Sequence, residues 1–551
     1  MRPSVEGRSS AAGGAAGALS RALVRFSAGL GVETRELACL TAIVAMAAAV
    51  RLVNLPVRGG WDSDQATEML TLRNAVTTGQ LPTFGPAASA IGGAFHHGAL
   101  YYDLLLPATW LGNGDPTFVV AEIALLSLLV VPIVWWIARS ISGPVAGLTA
   151  ALLAALSASL IGYSTFIWNP TLVEPGAAIA FLGAWQAWRT RRPSWWLIAA
   201  AGSAVAMQAH VAAAIVVLPM TIVYLADLRR GPVGQRRRIL GWGVAGVALV
   251  VATYLPLIFY ETGHDFAETR GALGYFIGSD SAAAHDPLIR LLFSAIRILA
   301  WPLTSWPLID LRPAFLPALT VAATLGAGLI WRVRATRAAG TVVERPAERD
   351  GLSFVGGLLL LLVLALGLGL RSVSEVQDLP TEQYHVVADP LVLVAAGLVL
   401  GGIWQTLLAW RGVRLGRLVV TAAIVALAAW NLSRWPPLTA PDGGWPAAHE
   451  AAQRLERDAQ GSAIAFVALP AIKGADAYVY PLTYDGAALT TPGDAGTVVV
   501  LCDSFWVETG CGDPTSESVW LSEASAGSGL TLVERFSPAP YRTLSIYRRA
   551  P

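Results

Sequence analysis

Between Trp61 and Pro107 the chain reads W-D-S-D-Q-A (61–66), G-Q-L-P-T-F-G-P (79–86) and F-H-H-G-A-L-Y-Y-D-L-L-L-P (95–107). Acidic residues, paired histidines and adjacent tyrosines share one polar segment. Apolar runs near 37–54 and 117–138 flank it, each close to the roughly 20 residues a spanning helix needs. A chain that only had to cross lipid needs no such loop, whereas chemistry at the membrane surface does. The segment therefore sets the expected fold: a polytopic α-helical membrane protein with a functional loop after its first span.

Composition agrees. Of 551 residues, 55% are hydrophobic and 14% charged, and the mean hydropathy is +0.56. A soluble domain carries about 25% charged residues. Twenty tryptophans suit belts at the lipid–water interface. The net charge of +1 gives no general attraction to nucleic acid, so no nucleic-acid partner is expected. Lys473 is the sole lysine, and every other basic side chain apart from the histidines is arginine.

About eleven apolar stretches follow, near 37–54, 117–138, 144–163, 171–188, 195–209, 211–226, 239–259, 314–331, 352–370, 390–408 and 418–432. Arginines cluster in alternate loops: Arg139, then Arg189, Arg191 and Arg192, then Arg229, Arg230 and Arg236 to Arg238, then Arg332, Arg334 and Arg337, then Arg411, Arg414 and Arg417. By the positive-inside rule these loops are cytoplasmic. The loops near 55–116, 164–170, 260–313 and 371–389 are then extracytoplasmic, with the N-terminus inside and the C-terminus outside. The segment 288–310 departs from the pattern. Arg290 and Arg297 lie seven apart and share a helix face, so it reads as an amphipathic helix on the outer surface.

Three parts are expected. Residues 1–36, rich in Gly, Ala, Ser and Arg, read as a disordered cytoplasmic arm without a cleavable signal. Residues 37–432 form the membrane domain. Residues 433–551 form a small outer α/β domain, with a helix over 446–459 and strands over 463–469, 497–502, 530–536 and 543–547. Cys502 and Cys511 fall in this domain, and an oxidising outer compartment favours a disulfide between them.

Several side chains could carry chemistry. Asp62 and Asp64 follow the first span; either could act as a general base on a hydroxyl or ligate a hard cation, and an acidic turn after a helix would look the same. His96, His97, Tyr101 and Tyr102 could bond a phosphate or a sugar, or simply pack at the interface. Glu174, His210, Glu261, Tyr384 and His385 fall at or near outer span ends, where polar groups are costly and often functional. Arg73, Arg290, Arg297 and Arg371 lie on the outer side against the arginine trend, which suits them to gripping a lipid-linked phosphate. No P-loop, dinucleotide fingerprint, nucleophile elbow or zinc motif occurs in a fitting context.

These motifs resemble the GT-C glycosyltransferases of family 39, the group of protein O-mannosyltransferases and the aminoarabinose transferase of lipid A. The resemblance covers roughly 37–435. It rests on D-Q-A at 64–66, the G-x-L-P-x-x-G-P run at 79–86, F-H-H-G-A-L-Y-Y at 95–102, W-N-P at 168–170, Q-A-H at 208–210 and P-L-I-F-Y-E at 256–261. It implies an inverting transferase that takes a sugar from a polyprenyl phosphate to a protein, lipid or glycan acceptor at the outer face of the plasma membrane. An Asp of the first outer loop is the base: Asp64 first, Asp62 second. The family pair is Asp-Glu, whereas Gln65 follows Asp64 here, which leaves a divalent cation (magnesium or manganese, on Asp64 or Asp62) open as the one cofactor. A transporter or flippase without covalent chemistry is the other class to weigh, although paired, broken half-helices are not evident.

Overall fold

The computed structural model describes residues 31–88, 95–278, 286–308, 311–338, 346–369, 381–409, 413–469, 474–505 and 510–550. Arg371 and most of the 1–36 arm lie outside these. Seven described helices are long and apolar enough to cross a membrane. They are Pro116–Ser142, Val211–Arg230, Pro287–Thr304, Pro313–Arg337, Glu348–Gly369, Val386–Gln405 and Leu415–Ser433. Val233–Thr253 and Leu255–Gly263 form a pair bent by 56° that counts as an eighth if taken together. Of the remaining expected stretches, Thr34–Leu52 and Val173–Thr190 are long enough but more polar, and the others are shorter or interrupted. Pro144–Leu156 stops at Ser157 before the short Ala158–Tyr163 helix, and Trp195–Ala209 ends at His210.

The first helix, Thr34–Leu52, is charged at both ends by Arg35, Glu36 and Arg51. Arg51 is fully buried, and its guanidinium donates to the Ala154 and Ala155 carbonyls at 3.3 and 3.4 Å. Those carbonyls end a helix and have no partner within it, so the break at Ser157 supplies the acceptors that a buried arginine requires.

The bundle has two distinct ends. At one, Arg139 pairs with Glu36 at 2.8 Å, Arg191 with Asp227 at 2.8 Å, Arg230 with Asp350 at 3.2 Å, and Arg332 with Glu348. These arginines belong to the loops set apart by charge. The sheet domain sits at the opposite end, where Asn54 donates to the Leu438 carbonyl at 2.7 Å and Ala440 N–H to the Val57 carbonyl at 2.7 Å.

Pro287–Thr304 is apolar enough to cross a membrane, and its Ile296 and Ala300 pack against Ala314, Ala318 and Ala322 of Leu311–Ala338. Arg297 meets Thr381 and Glu382, Pro302 C=O accepts from Ser157, and Thr304 C=O accepts from Trp430. All of these lie at the sheet-domain end. Arg297 is buried within these contacts rather than turned to solvent as a surface-lying amphipathic helix would have it.

In the C-terminal part, β1 (Ile464–Leu469), β2 (Thr497–Asp503), β3 (Leu530–Ala539) and β4 (Arg542–Arg549) form one sheet in the order β1-β2-β4-β3. β1 and β2 are parallel, in register Ile464 to Thr497, and the other pairs are antiparallel. The parallel pair needs a crossover. Part of it is the helix Asp476–Asp485, which carries Pro481 within it. That helix lies between Ser63–Thr78 and Gly444–Ala459, and the Tyr480 hydroxyl donates to Gly114 C=O. Cys502, next to last in β2, is disulfide-bonded to Cys511, with their Cα atoms 5.4 Å apart.

Candidate functional site

The site begins at the turn Trp61–Gln65. Asp62 is the N-cap of the Ser63–Thr78 helix: its Oδ1 accepts from the Asp64 N–H at 2.8 Å. Gln65 closes the capping box by accepting from the Asp62 N–H at 3.0 Å, and its Nε2 donates to the Ile167 carbonyl at 3.0 Å. One buried side chain thus accepts and donates at once, which an amide can do and an ionised carboxylate cannot. This gives Gln65 a physical reason to stand where the family pattern has Glu.

Asp62 lines a cavity of about 640 Å³ between the membrane domain and the sheet domain. Arg58, Arg434 and Arg542 bring positive charge to its walls, and Phe166, Trp168, Trp301 and Tyr541 bring rings. Arg58 is almost fully buried; it donates to Val50 C=O, and its Nε has no hydrogen-bond partner. Asp64 stands two residues along, exposed in the first turn of the helix. One turn later Glu68 is buried against Tyr102. Burial, reinforced by the nearby Asp64 charge, pushes the Glu68 carboxyl up to about 8 against the lowering effect of the Tyr102 hydrogen bond. The Tyr101 and Tyr102 hydroxyls are held well above their ordinary range, by burial first and the Glu68 charge second.

The other expected residues fall into separate groups. His96 Nδ1 bonds Glu268 at 2.9 Å and its ring lies on Phe84. His97 is buried and accepts from the Val211 N–H at 3.1 Å; burial, then the neighbouring His210 and His96, hold it well below the usual histidine range. The rings of His97, His210 and Tyr384 follow one another at 5.2 and 5.4 Å. Arg73 donates to the Asn113 and Tyr484 carbonyls, fastening the loop to the sheet domain. Glu261 accepts from the Glu268 and Thr269 N–H groups, capping the helix that follows. Arg290 is half-buried near the start of Pro287–Thr304. Arg297 pairs with Glu382 at 3.0 Å, and His385 is buried with its ring edge-on to Trp301.

Glu174 and Asp389, at the starts of their helices, are buried within electrostatic reach of each other, and among the described residues neither Asp389 oxygen has a hydrogen-bond partner. Tyr163 links this group to the cavity: it lines the cavity and lies within electrostatic reach of Glu382, Glu174, Asp389 and Arg297. The sequence reading missed Arg58, Glu68, Glu382, Asp389, Asp442 and Arg542. Glu68, four residues after Asp64 on one helix face, was within reach of periodicity; the others are placed by distant contacts. Among the described residues, no three His, Cys, Asp or Glu side chains stand close enough to hold a metal ion.

Comparison with known proteins bears on this arrangement. The family model for dolichyl-phosphate-mannose-protein mannosyltransferase matches residues 109–258, beginning just past the polar loop. No curated protein matches by sequence. The apo structure of ArnT from Cupriavidus metallidurans superposes with a TM-score of 0.55 at 12% identity, over 92% of this chain and 97% of that one. ArnT from the same organism bound to undecaprenyl phosphate gives 0.54 at 13%, with the same coverage. The apo oligosaccharyltransferase of Archaeoglobus fulgidus gives 0.50 at 13%, over 94% of this chain and 74% of that one.

At such identities the likeness is one of fold: the chain shares the ArnT fold, a multi-pass helical membrane domain with a small sheet domain at one end. The family-model match adds a likeness in sequence, over residues 109–258, to the dolichyl-phosphate-mannose-protein mannosyltransferases.

Proposed function

We propose that this chain is a membrane glycosyltransferase that moves a sugar from a polyprenyl phosphate to an acceptor hydroxyl, at the membrane face carrying the sheet domain. The observation that carries this reading is the Trp61–Gln65 turn, with Asp62 in the wall of a 640 Å³ cavity lined by three arginines and several rings. The ArnT structure holding undecaprenyl phosphate supports the donor class. A lipid donor reaches such a site sideways from the bilayer, so no nucleotide-binding domain is needed.

In the proposed step Asp64, the position the resemblance gives as base, which stands two residues from Asp62 and outside the cavity lining, takes the proton of the acceptor hydroxyl. The freed oxygen lone pair attacks the anomeric carbon from the side opposite the phosphate. The carbon–oxygen bond to phosphate breaks, and polyprenyl phosphate leaves with the electron pair and its negative charge. Arg58 and Arg434 are placed to stabilise that charge, whereas Arg542 is committed to the Trp61 carbonyl. Arg297 is committed to Glu382 and serves the structure beneath. Asp62, with one oxygen used in capping, supports the turn.

Transfer from undecaprenyl-phosphate sugars by the purified protein in liposomes tests this. Asp64→Asn is expected to lower turnover by about 10²–10⁴-fold, the usual contribution of a positioned base. Asp62→Asn is expected to cost less, because Asn caps a helix as well as Asp does. A dead Asp62→Asn beside an active Asp64→Asn would move the base to Asp62. Full activity of both variants would overturn the mechanism.

A further inference from the structure

We propose that the C-terminal domain and its linker act as a clamp on the Trp61–Gln65 turn, with Asp442 and Arg542 as positioning residues for the carboxylates the turn carries. The inference rests on the reading of that turn as the reacting edge of the site.

Trp61 is gripped from three places distant in sequence. Its N–H donates to Asp442 Oδ2 at 2.7 Å, its carbonyl accepts from Arg542 Nη1 at 2.7 Å, and its indole N–H donates to the Ala477 carbonyl at 2.9 Å. The ring is buried against Trp445 at 4.9 Å and Tyr480 at 5.7 Å. Both backbone polar groups and the single side-chain donor of Trp61 are therefore spoken for by residues after 440.

The grips are themselves anchored. Asp442 Oδ1 accepts from the Gly444 N–H at 3.0 Å. Gly444 has φ of +64°, and a Cβ there would stand 2.8 Å from the Gly59 carbonyl oxygen, so only glycine lets the linker approach this closely. Arg542 opens β4 with its Nε 3.6 Å from Asp503 Oδ2. Tyr478, Asp62, Asp442 and Asp503 all act on its charge, and together they outweigh the effect of burial.

The hold passes directly to the candidate base. The Asp62 N–H, the Asp62 Oδ1 and the Asp64 N–H are already fixed by the capping box. With Trp61 clamped on one side and the helix on the other, the turn has little freedom left. Reacting groups must be held within fractions of an ångström, and a shift of about 1 Å costs about a hundredfold in rate. The sheet domain thus completes the site by fixing its geometry.

The test uses the full chain in lipid nanodiscs, with Asp442→Ala and Arg542→Gln beside the conservative Asp442→Asn and Arg542→Lys. Amide hydrogen exchange is read on peptides covering 60–68 and, as a folding control, on β2 and β4. Loss of the Trp61 N–H acceptor in Asp442→Ala is expected to speed exchange in 60–68 by about tenfold, with the strands unchanged. Asp442→Asn keeps an acceptor oxygen and is expected to stay near wild type.

Release of undecaprenyl phosphate from undecaprenyl-phosphate mannose and arabinose is read alongside. Turnover is expected to fall by about ten- to a hundredfold in Asp442→Ala and Arg542→Gln, with KM within about twofold and partial rescue in the conservative pair. Unchanged exchange in 60–68, or a loss confined to KM, would overturn the clamp. If the wild type turns over neither donor, the transferase reading is what fails, and the exchange result alone decides the clamp.

Discussion

Arg297 and Glu382 form a 3.0 Å ion pair in which neither side chain keeps more than 2% of its surface exposed, and Arg297 also bonds the Thr381 hydroxyl at 2.6 Å. The pair ties the Pro287–Thr304 helix to the segment entering Asp389–Ala409. Removing one partner of a buried pair strands the other charge and costs about 3–5 kcal/mol. Glu382→Ala and Arg297→Ala are each expected to lower the melting temperature in detergent markedly. An apolar replacement of both, Arg297→Met with Glu382→Leu, is expected to recover much of the loss, because no orphan charge then remains. Thermal unfolding followed by tryptophan fluorescence checks this.

Glu68 makes stability depend on pH. Burial raises its folded pKa to about 8, whereas the unfolded value is near 4.5. Between these values the folded state holds a proton that the unfolded state has released, so rising pH favours unfolding. The contribution falls from about pH 4.5 to about pH 8, by an amount on the order of a few kcal/mol, and is flat beyond. Glu68→Gln, neutral throughout, is expected to flatten the curve of melting temperature against pH over this window. Parallel curves for wild type and variant would show that Glu68 does not titrate there.

Gln65→Glu, which installs the residue found there in the family the loop resembles, is expected to destabilise this chain. The new carboxylate could still accept from the Asp62 N–H but would face the Ile167 carbonyl with no proton to donate. An unsatisfied buried acceptor costs about 1–3 kcal/mol. Chemical denaturation of the purified variant measures the difference, and an equal or higher stability would count against the amide-specific role.

The two ends of the bundle are expected to face opposite compartments. The pairs around Arg139, Arg191 and Arg332 mark one end, and Asn54 with Leu438 marks the other. Reporter fusions after Arg238 and after Pro437 are expected to give opposite signals, with the Arg238 fusion cytoplasmic. The same signal from both would overturn this arrangement.

Apolar run length and alternating arginines in the sequence determined that the chain is a multi-pass membrane protein, which loops share an end, and that a sheet domain follows near 440. These are properties of short windows: a helix in lipid must satisfy its own backbone, and charge must stay out of the bilayer. The capping box of Asp62 and Gln65 is equally local, yet the sequence there reads only as an acidic turn; the structure opens a helix at Ser63. What the site residues touch was decided only by the tertiary structure. Arg297, Arg73 and Glu261 read as binding groups, yet each is taken up by a structural partner, because an arginine or carboxylate carries no local mark of the partner that will claim it. Asp442 and Arg542 gave no signal at all; they reach Trp61 across 381 and 481 residues of chain. Periodicity and propensity extend over a turn or a strand, whereas the clamp exists only once the sheet domain has folded back onto the first loop.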